Sequence, residues 1–227
     1  MPDDFAILTN PFLNLECRLN TKGRPRYGTL SQFLAANQGE PSTVGTPDGN
    51  IHNATIRNST HYKAKLNFNM FEPMLESFIA EIADPEKRRF VRWLPDNHTY
   101  DVIVYEEGGF FKEHQDVKIN RHHYGTLLVF PPAVGEFAHT GGDLIITREN
   151  GQQIVLESSI LTEWKFVAFH PHLKHECLPV TSGRRVVIKT ELCYTPHRDD
   201  SEYEYDEPAV CDRVRPSMMV MDRSVRE

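Results

Sequence analysis

From residue 99 onward the chain is a succession of short β-rich runs separated by turn signals, and this punctuation restricts the fold more than any other feature. The runs are Tyr100–Tyr105, Tyr124–Phe130, Asp143–Thr147, Gln152–Glu157, Trp164–Phe169 and Arg184–Tyr194. Between them stand EEGG at 106–109, TGG at 140–142, ENG at 149–151 and TSG at 181–183. Glycine supplies the positive φ that tight turns need, and the polar residues beside it favour turn hydrogen bonds. Many short strands punctuated in this way close on one another as a sandwich, jelly roll or barrel. The expected fold is therefore mainly β.

The first 98 residues read differently. Residues 28–36 suit a short helix, and residues 37–52 are rich in Gly, Pro, Ser, Thr and Asn and read as a loop. Ala54 to Ser59 alternates weakly, as a strand would. Residues 71–83 place Met74, Phe78, Ile79 and Ile82 at helical spacing, with Pro73 near the start where proline is tolerated. A second short helix is expected from Pro85 to Trp93. The reading is thus of N-terminal helices packed on one sheet. Residues 1–98 form a helical and loop support region of the same domain, 99–195 the β core, and 196–227 a polar tail that is acidic from Asp199 to Glu207.

A chain of 227 residues can bury a single core. The net charge of −7 and pI near 5.9 argue against a general nucleic-acid binder, so nucleic acid is not expected as a partner. The longest apolar run, Leu127 to Val134, is broken by Pro131 and Pro132 and falls far short of a bilayer span of about 20 residues. The opening MPDDFAIL is acidic where a secretory signal is basic. The expectation is an intracellular protein, cytoplasmic with nuclear residence open, that does not engage a membrane. Cys17, Cys177, Cys193 and Cys211 form no CxxC pair and read as free thiols.

The chemistry concentrates in Tyr105 to Asp116, YEEGGFFKEHQD. His114 and Asp116 stand two residues apart, and on a strand such a pair faces one side. An imidazole and a carboxylate can so converge on one ion, with His175 of HECLPV as the natural third ligand. Two histidines and one carboxylate on one face of an octahedral metal leave the other face open, as in non-haem Fe(II) sites. Arg185 lies ten residues after His175, beyond the turn PVTSG and at the start of the next strand. Its planar guanidinium grips a carboxylate through two parallel hydrogen bonds, so a dicarboxylate could chelate the ion at one end and pair with Arg185 at the other. Three rivals stay open. His170, His172 and His175 form an HPHLKH cluster that could take zinc; His122 and His123 could supply an alternative ligand, but lie in an expected loop, facing solvent or near the substrate; Arg184 is the alternative to Arg185.

The segments YEEGGFFKEHQD, GTLLVFPP, GGDLII, WKFVAF and HECLPVTSGRRVVIKTEL resemble the catalytic domain of prolyl-4-hydroxylase-like 2-oxoglutarate oxygenases. IRNST at 56–60 is faintly similar to the Arg-x-Ser strand of those enzymes. The resemblance implies a double-stranded β-helix (jelly roll), Fe(II) bound by His114, Asp116 and His175, and 2-oxoglutarate bound by Arg185. It also implies a pocket tyrosine at Tyr105 and ascorbate as a candidate reductant. The implied activity is hydroxylation of a C–H bond using O2, on a prolyl or other peptidyl residue. A small molecule or free amino acid is the alternative substrate, and a non-catalytic metal-binding module the alternative role. Two departures stand out: Cys177 follows HE where valine is common, and Lys189 and Glu191 occupy positions where apolar or aromatic residues are frequent.

Overall fold

The computed structural model of the protein describes residues 5–10, 15–20, 22–46, 49–68, 91–93, 99–117 and 123–194. These residues hold nineteen strands and one α-helix. The large antiparallel sheet runs, in spatial order, Phe5–Asn10, Trp164–Phe169, His123–Phe130, Arg185–Tyr194, Thr99–Tyr105, Thr60–Phe68, Leu15–Arg18 and Tyr27–Gly28. A five-stranded antiparallel sheet runs Gln153–Leu156, Leu144–Thr147, Lys174–Cys177, Phe110–His114 and Arg57–Asn58. The molecule is mainly β, with large antiparallel sheets consistent with a jelly roll.

The central strands look continuously apolar in sequence because the large sheet is covered on both faces. Along a strand, alternate side chains leave opposite faces. Tyr100, Val102 and Val104 enter one cluster, with Leu127, Val129, Phe166, Ala168, Val186 and Ile188. Their neighbours Ile103 and Tyr105 enter a second cluster, with Leu128, Phe130, Val167, Phe169 and Val187. The first cluster is roofed by the helix Leu30–Ala36, which buries Leu30, Phe33 and Leu34. That helix begins with a capping box: Thr29 Oγ1 accepts from the Gln32 N–H, and the Thr29 N–H donates to Gln32 Oε1. The second cluster lies between the sheets, where Leu144, Ile146 and Cys177 meet it from the smaller one.

The turn at 106–109 carries the chain from one sheet to the other. Gly108 adopts φ 77°, and the Gly109 N–H donates to the Glu106 carbonyl at 2.7 Å. It delivers Phe110–His114 antiparallel to Lys174–Cys177, with a register shift between Phe111 and His114.

Five of the six expected β runs appear with bounds shifted by at most one residue, and Trp164–Phe169 appears unchanged. The N-terminal half needs correction. Several N-terminal helices are not borne out among the described residues, which hold a single α-helix, the one expected over 28–36. Within the helix expected over Pro85 to Trp93, Val91–Trp93 is a strand paired with Leu192–Tyr194. Its β-branched and aromatic residues suit an extended partner, and the long neighbouring strand offers the backbone groups to pair with. The helix expected over 71–83, the rest of 85–93 and the polar tail lie outside the described residues. The expected loop at 37–52 contains Glu40–Pro41 and a small hairpin of Val44–Thr46 with Gly49–Ile51. Of 54–59 only Arg57–Asn58 is strand, while Thr60–Phe68 was unread and pairs with Thr99–Tyr105. Cys17, Cys177 and Cys193 are free and buried. Among the described residues no helix is long and apolar enough to cross a membrane.

Candidate active site

The register places His114 directly opposite His175 on neighbouring strands of the smaller sheet. The irregularity between Phe111 and His114 aims the imidazole at that neighbour, as bulges beside functional sites do. Asp116 falls just beyond the strand rather than on it, with its N–H bonded to the Pro171 carbonyl at 3.1 Å. Asp116 Oδ1 lies 4.0 Å from His114 Nε2 and 3.9 Å from His175 Nε2. Among the described residues this is the one group of three or more potential metal ligands, and its donor atoms lie within 4.8 Å of one another.

Each ligand is held by a partner outside the triad. His114 Nδ1–H donates to the Lys112 carbonyl at 2.8 Å, and His175 Nδ1–H to the Leu173 carbonyl at 3.0 Å. A carbonyl only accepts, so both Nε2 atoms carry lone pairs turned into the site. Thr126 Oγ1 donates to Asp116 Oδ2 from the large sheet, which leaves Oδ1 facing the imidazoles. Burial, then the neighbouring His175, hold the His114 imidazole down at about 3, and burial lowers His175 as well. Burial pushes the Asp116 carboxyl up, but Lys189, His175 and the Thr126 hydrogen bond outweigh it and hold it below the usual range. At neutral pH the site therefore offers two neutral imidazoles and one carboxylate. Two sides of the donor triangle are 4.0 and 3.9 Å and none exceeds 4.8 Å, so one point lies within about 2.5 Å of all three donors, near ordinary metal–N and metal–O bonds of about 2.0–2.2 Å. The residues fit a first-row divalent ion, and a 2-His-1-carboxylate set with an open face fits Fe(II).

The same cleft, partly open to solvent, runs from the triad to Arg185. Arg185 is 2% exposed and is among the largest fully buried side chains. Its Nε donates to Ser158 Oγ at 3.2 Å, and its guanidinium carbon sits 5.0 Å from the Tyr105 ring centre and 5.2 Å from that of Phe130. Among the described residues no acidic side chain pairs with it. A buried guanidinium without a counter-ion is costly, so that end of the cleft could take an anion favourably. Gly142 makes room for it: φ is +73°, and an added Cβ would stand 2.8 Å from Arg185 Cδ.

All five residues singled out in the sequence, His114, Asp116, His175, Arg185 and Tyr105, line this cleft. The rivals do not. Arg184 is exposed and pairs with Glu106 at 2.9 Å. His172 pairs with Glu149 at 3.4 Å, and His170 Nδ1 meets the Tyr124 carbonyl at 3.0 Å, so neither joins His175 in a ligand group. His123 was expected to face solvent in a loop; it begins a strand and is 5% exposed. His122 lies outside the described residues. Cys177 lines the cleft two residues after His175 but does not belong to the ligand group, and burial pushes its thiol up. Sequence reasoning missed Thr126 and Ser158. Thr126 had a signal, since it shares the inward face of its strand with Leu128 and Phe130; Ser158 sits in a short turn and had none.

No family model matches the chain, and no curated protein matches it. Among solved structures it is similar to a prolyl hydroxylase from Trichoplax adhaerens in complex with a hypoxia inducible factor oxygen degradation domain peptide fragment. The identity is 12%, the TM-score 0.56, and 84% of each chain is covered. That likeness shows the fold. A Pseudomonas putida prolyl-4-hydroxylase matches at 15% identity and TM-score 0.43, covering 62% of this chain and 73% of its own. A 2OG-Fe(II) oxygenase family oxidoreductase from Burkholderia pseudomallei matches at 13% identity and TM-score 0.41, covering 70% and 74%. These two are too distant to add to the argument.

Proposed function

We propose that the protein is an Fe(II)- and 2-oxoglutarate-dependent oxygenase that hydroxylates a C–H bond. One observation carries this reading: a buried Arg185 without an acidic partner shares one cleft with a His–Asp–His donor set. His114, Asp116 and His175 hold the iron, Arg185 takes the far carboxylate of 2-oxoglutarate, and Tyr105 walls that end. Iron bound there supplies O2 activation. Overall, one oxygen atom enters the substrate C–H bond, and the other enters succinate as 2-oxoglutarate loses CO2. The chain's own contribution is orientation. The Nδ1 anchors fix both imidazoles, Thr126 fixes the carboxylate, and the Arg185 grip sets the diacid before oxygen arrives. The apolar walls from Ile103, Leu128 and Leu144 limit water around the reacting atoms.

A peptidyl residue, prolyl above all, is the substrate class we assign. One solved structure of the same fold is a prolyl hydroxylase in complex with a peptide fragment, which supports this choice. Succinate release from 2-oxoglutarate with Fe(II), O2 and a proline-containing peptide library tests it, with free amino acids as the contrasting arm and ascorbate present or omitted. Hydroxylated peptide is the expected product. Mn(II) titration of His114→Ala and Asp116→Ala tests the ligands independently of turnover. Metal affinity equal to wild type in both variants would remove them from the metal site.

A further inference from the structure

Four residues beyond Arg185, on the same face of the same strand, stands a second cation. Lys189 Nζ lies 3.7 Å from Asp116 Oδ1 and 3.6 Å from Glu191 Oε1, with its side chain 24% exposed toward the cleft. We infer that Lys189 is a second anion anchor, holding the metal-proximal carboxylate of a bound dicarboxylate while Arg185 holds the distal one. This rests on the reading that the cleft takes a 2-oxo dicarboxylate.

The wall between the two cations has the matching chemistry. Four strand residues span about 13 Å between their Cα atoms, and the long side chains reach inward from both ends. Val187 stands between them on the same face, with Ile103 across from it on one neighbouring strand and Leu128 beside Lys189 on the other. The lining therefore reads cation, apolar, cation. A dicarboxylate with a methylene spacer reads anion, apolar, anion.

Charge points the same way. The Asp116 oxygen that Lys189 faces is the one both Nε2 atoms face. A divalent ion in the triad takes that oxygen and sets two positive charges beside the ammonium. Like charges this close are costly unless an anion lies between them. Count the loaded cleft: two positive from the ion and one each from Lys189 and Arg185, against one negative each from Asp116 and Glu191. Arg57 and Glu176, also on the wall, offset each other, as do Lys63 and Asp101, which pair nearby. Two positive charges remain, and a dianion cancels them.

The test is calorimetric titration of the Mn(II)-saturated protein with 2-oxoglutarate and with 2-oxopentanoate, which lacks the far carboxylate. Lys189→Gln should weaken both acids by a similar factor, about tenfold or more, since each keeps the proximal carboxylate. Arg185→Met should weaken 2-oxoglutarate alone. Lys189→Arg should restore most of the affinity. Saturating metal removes any effect of Lys189 on metal loading from the comparison. Wild-type affinity for both acids in Lys189→Gln overturns the inference, as does a variant in which only the KM for the hydroxylated substrate rises. Failure of the wild-type protein to bind either acid would instead sink the function proposed above. Should Lys189→Gln not fold, a crystal structure of the wild-type protein with Mn(II) and 2-oxoglutarate decides. Lys189 Nζ within hydrogen-bond distance of the proximal carboxylate supports the assignment, and Nζ on Glu191 alone overturns it.

Discussion

Replacing Gly142 with alanine separates two contributions that the structure makes distinct. Gly142 has φ +73°, and a Cβ there would stand 2.8 Å from Arg185 Cδ and 2.9 Å from Val180 Cγ2. Gly151 has a similar φ of +81° with nothing within 4 Å of its Cβ position, so it serves as the control. The left-handed backbone alone costs an alanine about 1–2 kcal/mol, offset in part by about 0.4–1 kcal/mol from a less flexible unfolded chain. Gly151→Ala should therefore cost roughly 1 kcal/mol. At Gly142 the two contacts are with buried side chains, Val180 1% and Arg185 2% exposed, which have little space to retreat. Overpacking of this kind adds about 1–3 kcal/mol. With about 2–4 °C of melting temperature per kcal/mol in a chain of this size, Gly142→Ala should melt several degrees below Gly151→Ala. Because the contact is with the stem of Arg185, the guanidinium must shift too. Calorimetry on the Mn(II)-loaded protein should then show weaker 2-oxoglutarate binding in Gly142→Ala alone. Equal melting temperatures in the two variants, with unchanged 2-oxoglutarate affinity in both, would refute the packing argument.

Thr126→Val removes the hydroxyl that donates to Asp116 Oδ2 while keeping the side-chain shape, and should weaken Mn(II) binding about 10–100-fold by titration with the fold intact. Unchanged metal affinity would show that the carboxylate is oriented without it. In chelator-treated protein, stability should fall as pH drops below about 6.5 toward 3. The unfolded chain protonates its histidines in that window while His114, depressed to about 3, stays neutral in the fold, so the unfolded state binds more protons. Urea midpoints at pH 7.5 and 5 check this, and a midpoint insensitive to pH would contradict it. Burial pushes the Cys17 thiol up to about 12, so an alkaline loss of stability should begin near pH 9, where the unfolded thiol ionises first. Cys17 should also resist thiol reagents until the protein unfolds, and stoichiometric labelling of the native protein at this residue would exclude the burial described.

The C-terminal half was legible because its signals are local. Turn glycines bracket the strands, and a strand's two-residue period fixes which side chains share a face, which puts Lys189, four residues on, on the same face as Arg185. The three side chains of the donor group do come together, but not by the strand period that suggested it: Asp116 lies beyond its strand, and the segment that follows the strand places it. The N-terminal half was not. Thr60–Phe68 buries Ala64 and Leu66, but its other face carries His61, Lys63, Lys65 and Asn67, and it follows directly on Arg57–Asn58, so it lacked the apolar continuity of the central strands. Val91–Trp93 is extended because a neighbour more than ninety residues away pairs with it, which no local pattern encodes. Ser158 supports Arg185 from a turn whose residues say nothing of what they face.

The two ends of the cleft belong to different sheets. His114 and His175 ride on the smaller sheet, while Arg185 rides on the larger one. The distance from the donor triad to the guanidinium therefore depends on what is packed between the sheets, where Leu144 and Ile146 share one cluster with Leu128 and Val187. The interior works as a caliper. On the function proposed above, trimming or enlarging one of those aliphatic side chains would reset which length of diacid spans from triad to guanidinium, with the triad and Arg185 themselves unchanged.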